Sequence, residues 1–297
     1  MGERNELMRY FNTSGPCDPE KHYTVLREAL VAQGSRLAEQ GRYFTIFAPR
    51  QSGKTTYFQL LLRALGEKNF TPLWISFEGL KTLNRVQFYQ SLTYLLQQEL
   101  RELNIQFTVE ITDPFQLRQF FEAIQSITSP IVLVLDEFED IPALVLPEVM
   151  HTFRSLYHKK QYHHLHSLIL VGVSTIAELI LSSASPFNIT DDIQVPYFTP
   201  AEVSELIHQY VAESGQSFEP DVITAIHENT AGQPGLVNGL CALLVTEIAT
   251  ERTVPVAMMH FYRAEQIYLR ERFNKNISNV VQKAREKRHL ILRLLFL

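Results

Sequence analysis

The stretch that most narrows what this chain can fold into is Ala48-Pro49-Arg50-Gln51-Ser52-Gly53-Lys54-Thr55-Thr56. It follows an apolar run, residues 43–48 (YFTIFA), and precedes a segment that places Phe58, Leu61, Leu62 and Leu65 on one helical face. The pattern is GxxxxGK[ST], with Ala48 where the first glycine usually stands. Its chemistry needs consecutive backbone N–H groups wrapped round phosphate oxygens at the positive end of a helix. Pro49, Arg50, Gln51, Ser52, Gly53, Lys54, Thr55 and Thr56 are therefore the expected phosphate-binding residues. Lys54 would reach the β and γ phosphates, and the Thr55 hydroxyl would ligate Mg²⁺. A glycine turn that merely caps a helix is the plainer alternative. The strand before and the helix after argue against it.

Further apolar runs rich in β-branched and aromatic residues occupy 72–77 (PLWISF), 131–136 (IVLVLD) and 167–173 (SLILVGV), with a shorter one at 193–197. Continuous apolarity predicts strands buried on both faces, as in a parallel sheet covered by helices. Pro196 places the last run at an edge or strand end. Helical patterns fall between them at 54–65, 84–103 and 115–127, the last introduced by Asp113-Pro114 as N-cap and first helical position. Alternation of this kind makes βαβ units. From Thr199 the pattern is helical only: a capping box of Thr199 and Glu202 opens 200–213, and 221–229, 234–250 and 256–297 follow. The expected fold is α/β, an αβα sandwich with a parallel sheet followed by a smaller all-helical lid. The division is 1–40 as a leader, 41–198 as the core and 199–262 as the lid. Residues 263–297 form a basic C-terminal segment that docks on the lid, pairs with another chain or begins a further domain.

A phosphate loop implies an acidic partner. Five apolar residues run into Asp136-Glu137, so Asp136 would hold the metal at the strand's C-terminal end and Glu137 would polarise the attacking water. The neighbouring Glu139 and Asp140 read as a solvated acidic loop. Ser174 and Thr175 close the next strand. They fit two roles equally, a polar tip that orients the lytic water (with Ser174 as the catalytic candidate) or a cap for the helix beyond.

Composition sets limits. The 297 residues carry 27 basic and 32 acidic side chains, net −5, which gives no bulk signal for nucleic-acid binding. No 18-residue run is free of polar residues, so no membrane span is expected. Two widely separated cysteines, Cys17 and Cys241, and an opening MGERNELMRYF without an apolar stretch fit a reduced, cytoplasmic protein.

At APRQSGKTT, IVLVLDE, SPFNITDDIQVPYFTPAEVSEL and ENTAGQPGLVNGL the chain resembles the AAA-like P-loop ATPases, in the branch that includes STAND-type signalling ATPases. The resemblance implies ATP or ADP with Mg²⁺, an αβα core and a helical lid. Carried over by position, residues 10–23 would border the adenine, and Gln233-Pro234 would be the lid's nucleotide-sensing turn. The chain departs from the relatives there, since many AAA+ machines present an arginine to the γ-phosphate. That favours a nucleotide-controlled switch over a fast motor. Arg154 is the candidate for acting across a subunit interface, against a plain solvated residue.

Two features stand apart. His151, His158, His163, His164 and His166 read as a solvated helix end rather than a zinc site, because no carboxylate or thiol lies among them at ligand spacing. Residues 263–297 carry nine Lys or Arg against three Glu, net +6, leaving −11 elsewhere. Such a segment suits nucleic-acid phosphates or packing on an acidic surface, with packing favoured. The functional expectation is Mg²⁺-dependent ATP binding with slow hydrolysis in a regulatory switch, acting on an effector or signalling protein and open to self-oligomerisation. The alternatives are a non-hydrolysing, nucleotide-bound adaptor and an oligomeric, ATP-dependent nucleic-acid remodeller.

Overall fold

The computed structural model describes residues 8–47, 52–172 and 191–267. Two compact units emerge: residues 26–196, and residues up to Val25 together with those from Tyr197 onward.

The first unit runs α1 (Glu28–Glu39), β1 (Tyr43–Phe47), α2 (Lys54–Gly66), β2 (Thr71–Ser76), α3 (Arg85–Glu102), α4 (Pro114–Ala123), β3 (Ile131–Asp136), α5 (Leu146–His158), β4 (Leu165–Gly172) and β5 (Asp192–Gln194). The strands form one parallel sheet in the order β2-β3-β4-β1-β5. The expected α/β sandwich is therefore the observed one. β3, flanked on both sides, is buried at all six positions, which is why its sequence is unbroken apolar. Leu73, Leu133 and Leu168 belong to one apolar layer, whereas Val132, Ile169 and Phe44 belong to the other with α2 residues Phe58, Leu61 and Leu65.

β2 is an edge strand, and its burial alternates. Thr71 and Phe77 turn their N–H groups to the carbonyls of Pro130 and Asp136, so the even-numbered positions face outward. Pro72 has no N–H to expose. Trp74 gives its N–H to the Glu99 carboxylate on α3 at 2.8 Å. Both devices blunt an edge that could otherwise pair with another chain.

Helix starts follow local chemistry. Asn84 and Gln87 form a capping box on α3, and Asp113 accepts the Phe115 and Gln116 N–H groups at the head of α4. α1 was not legible as a helix in the sequence. Its inner face is Gly34, Ser35 and Ala38, and a Cβ on Gly34 would come within 2.7 Å of the Tyr57 hydroxyl and 2.9 Å of Leu61 on α2.

The second unit contains α6 (Pro200–Ser214), α7 (Pro220–Thr230), α8 (Pro234–Leu243) and α9 (Met258–Ile267). Thr199 and Glu202 make the expected capping box. The segment 234–250 is not one α-helix: after Leu243 it widens into a π-turn, Leu244–Ile248. Residues before 26 belong here because Phe11, Tyr23 and Val25 are buried with Val203, Leu206, Ile207 and Tyr210. Arg9 and the Tyr23 hydroxyl both bond Glu213, and Gln209 brackets the Thr24 backbone. The leader thus divides at Val25, its first part a piece of the helical core and its second part α1. Gln216, fully buried, gives its amide hydrogens to the Ala249, Glu251 and Val254 carbonyls and accepts the Tyr210 hydroxyl. No helix among the described residues is long and apolar enough to cross a membrane.

Candidate functional site

β1 ends at Phe47, and α2 begins at Lys54 with Gly53 as its N-cap. Gly53 has φ +82°, a conformation glycine reaches without strain. Having no side chain, it also leaves the first-turn N–H groups of α2 for an outside acceptor. Of the expected phosphate-binding residues, Ser52, Gly53, Lys54, Thr55 and Thr56 are described. Pro49, Arg50 and Gln51 lie outside the described residues.

β3 delivers Asp136 and Glu137 to the same place. Lys54 Nζ lies 3.5 Å from Asp136 Oδ1 and 3.5 Å from Glu137 Oε1. The Asp136 carboxylate is 7% exposed and accepts the Glu137 N–H at 2.9 Å. Burial pushes its pKa up from 3.8, against the pull of Lys54. A carboxylate buried at the C-terminal end of a central strand and paired with Lys54 is a hard oxygen donor of the kind a divalent cation takes. Glu137 is a non-glycine residue at φ +49°, a backbone state costing about 1–2 kcal/mol. Such strain concentrates where a side chain must be aimed.

Ser52 Oγ is fully buried and has no hydrogen-bond partner among the described residues. An orphaned hydroxyl beside an uncapped helix start, a lysine and a buried carboxylate fits a polyphosphate with a divalent cation. Lys54 would take phosphate oxygens, and Thr55 and Asp136 would hold the cation.

Other expected residues fall as follows. Ser174 and Thr175 lie outside the described residues. Gln233 and Pro234 belong to the helical unit, as N-cap and first residue of α8. There Ala231 (φ +48°) and Gly232 (φ +70°) are both left-handed and lead into the turn. Arg154 is an exposed residue of α5. The basic segment beyond residue 267 lies outside the described residues.

Two expectations need correction. Glu139 and Asp140 are half-buried, not a solvated loop, and Asp140 Oδ2 accepts the Gly79 N–H at 3.1 Å. The histidines divide: His151 and His158 are exposed on α5, as the solvated helix end expected of them, whereas His163, His164 and His166 bond backbone carbonyls beyond it. His163 is buried, donating from Nε2 to the Leu156 carbonyl at 2.7 Å while Nδ1 accepts the Leu165 N–H. His164 bonds the Thr128 carbonyl, and His166 bonds the Glu39 carbonyl and packs on Phe70. Each satisfies backbone at the entry to β4, a role that depends on neighbours remote in sequence.

A family model described as an AAA-like domain matches residues 15–285. A search of curated proteins gives no match. Among solved structures, a Walker-type ATPase of Pyrococcus abyssi is 15% identical with a TM-score of 0.68, covering 93% of this chain and 79% of that one. The Aeropyrum pernix ORC1 protein in complex with DNA is 14% identical at TM-score 0.58, covering 84% and 67%. The Thermotoga maritima RuvB Holliday junction branch migration motor is 15% identical at TM-score 0.51, covering 82% and 68%. These likenesses establish the P-loop ATPase fold.

Proposed function

The chain belongs to the AAA-like domain family, and from that premise we propose that it binds ATP with Mg²⁺ and hydrolyses it slowly as a nucleotide-controlled switch. The observation that carries this reading is the convergence of Lys54, Asp136 and Glu137, with Lys54 Nζ 3.5 Å from each carboxylate, at the head of α2.

The chain's own groups divide the work. Lys54 exchanges its two carboxylate contacts for β and γ phosphate oxygens, which frees Glu137 to accept a proton from water. Main-chain N–H groups at the start of α2 would hold phosphate oxygens, and Thr55 and Asp136 would hold the cation. When bound, Mg²⁺ supplies charge neutralisation on the phosphate oxygens. A slow switch is favoured over a motor because this chain has Gln233 and Pro234 where the resemblance to AAA+ machines would put an arginine. Such a switch reports its nucleotide state to an effector protein.

The test is phosphate release from Mg²⁺-ATP by the wild type, Lys54→Ala and Glu137→Gln, alongside binding of a fluorescent ATP analogue. Glu137→Gln should bind nucleotide normally and lose about 10²-fold or more in turnover, the usual contribution of a general base. Lys54→Ala should lose binding. A Glu137→Gln protein that turns over like the wild type refutes the assignment of the base.

A further inference from the structure

Glu137 has a requirement that its own contacts do not meet. Among the described residues, the contact recorded for its carboxylate is Lys54. In the reading above, Lys54 turns to the phosphates when nucleotide binds. The direction of the Glu137 side chain is then left to its backbone, which is in a left-handed state that nothing local favours.

What holds that backbone lies one turn further on. Glu137 caps a 3-10 turn, Phe138–Asp140, closed by the Asp140 N–H on the Glu137 carbonyl at 2.8 Å. Phe138, 2% exposed, anchors the turn from below. The Asp140 carboxylate reaches across to the connection between β2 and α3 and accepts the Gly79 N–H at 3.1 Å, a bond open to solvent. That connection is tied a second time, by the Phe77 N–H on the Asp136 carbonyl at 3.0 Å. Asp136 and Asp140 are thus each bonded to the same neighbouring loop, and Glu137 sits on the arc between the two bonds. Gly79 meets Asp140 at φ +78°, where glycine is at ease. Lys81 stands 3.9 Å from Asp140 Oδ1, an exposed pairing that contributes little.

We propose that Asp140 is a positioning residue for Glu137, clamping the β2–α3 connection to the turn that carries the glutamate. The inference rests on the hydrolysis reading above and adds to it the residue that keeps the base aimed once Lys54 has left it. Displacing a reacting group by about 1 Å can lower a rate about 10²-fold, so loss of one of two tethers is expected to lower turnover by about tenfold. Nucleotide affinity should not change, because Asp140 touches neither Lys54 nor the head of α2 among the described contacts.

The experiment compares steady-state phosphate release and fluorescent-ATP affinity for the wild type, Asp140→Ala, Asp140→Asn, Glu137→Gln and the double variant Glu137→Gln/Asp140→Ala. Asp140→Ala should lower kcat about tenfold with KM and affinity unchanged. Asp140→Asn, whose amide oxygen still accepts the Gly79 N–H, should stay within about threefold of wild type. The double variant should turn over like Glu137→Gln alone, since a residue acting through Glu137 has nothing left to act on. If Asp140→Ala does not fold, Asp140→Ser, too short to reach Gly79, takes its place. Wild-type turnover in Asp140→Ala, a parallel loss of affinity and kcat, an asparagine variant no better than alanine, or a further loss in the double variant would each overturn the assignment alone. A wild type that binds ATP without releasing phosphate overturns the hydrolysis reading and this one with it.

Discussion

Replacing Gly232 by Ala is the sharpest test of how the helical unit builds its turn into α8. Gly232 has φ +70°, and a Cβ placed there would lie 1.9 Å from the Phe198 carbonyl oxygen and 2.9 Å from its carbon. Carbon and oxygen need more than 3 Å, so the strand of chain at Phe198 must move by about 1 Å or the turn must open. Moving it breaks the Phe198 N–H bond to the Gly232 carbonyl at 2.7 Å. A left-handed alanine adds about 1–2 kcal/mol, and the severed hydrogen bond about 1–3 kcal/mol. The stiffer unfolded chain returns about 0.4–1 kcal/mol. The net loss is about 1–4.6 kcal/mol. Hydrogen exchange by mass spectrometry on peptides from 220–243 reads it locally, as protection lowered by about 5- to 2,000-fold at about tenfold per 1.4 kcal/mol. The partner experiment is Ala231→Gly, one residue earlier at φ +48°, where glycine relieves strain and should leave protection equal or higher. Exchange in Gly232→Ala within twofold of wild type would mean that the close approach to Phe198 does not constrain this turn.

Three other perturbations read different parts of the structure. Gln216→Leu removes the fully buried amide that serves three carbonyls and the Tyr210 hydroxyl, and should destabilise the helical unit by about 3 kcal/mol or more in urea titration; under 1 kcal/mol refutes the clamp. Burial raises the Glu99 pKa above its ordinary value, so charging it costs folding energy at neutral pH; Glu99→Gln, which still accepts the Trp74 N–H, should be as stable as wild type or more so, whereas Glu99→Ala should open the β2 edge and sediment as higher oligomers. Burial lowers the His163 pKa below 6.5, so the unfolded chain takes up its proton first as pH falls. Its contribution to stability is therefore complete above about pH 6.5 and is lost below it, and His163→Gln should flatten the fall in urea midpoint between pH 6.5 and 5; identical slopes in the two proteins refute the assignment.

What the sequence revealed and what it hid separate along one physical line. The five strands, the heads of α3, α4 and α6 and the pairing of Lys54 with Asp136 and Glu137 were legible because each depends on residues within a few positions, or on a motif whose context is a strand and a helix. β3 shows the limit of the rule in its favour: unbroken apolarity means burial on both faces, and it lies inside the sheet. β2 looked alike in sequence, yet lies at the edge, and only Pro72 hinted at it. α1 carries a fainter signal, an apolar stripe of Leu30, Val31, Leu37 and Ala38 interrupted by Gly34 and Ser35, the small residues that meet α2 at close range.

The polar residues were the hardest to read, for a related reason. A buried polar side chain is defined by the group it satisfies, and that group is usually far along the chain. Asp140 and Gly79 are 61 positions apart, Gln216 and Val254 38, and His166 and Glu39 127. Viewed as sequence, Asp140 is the last acid of a DEFED run and His163 one of five clustered histidines, and local composition assigns both to solvent. Leaving the Ala249 carbonyl without the buried Gln216 amide costs about 1–3 kcal/mol because water cannot replace the donor, whereas the bonds of Asp140 to Gly79 and of His166 to Glu39 are open to water and contribute less. A run of acids beside a phosphate loop therefore divides by partner rather than by position: Asp136 and Glu137 meet Lys54, and Asp140 meets the Gly79 N–H on the connection between β2 and α3.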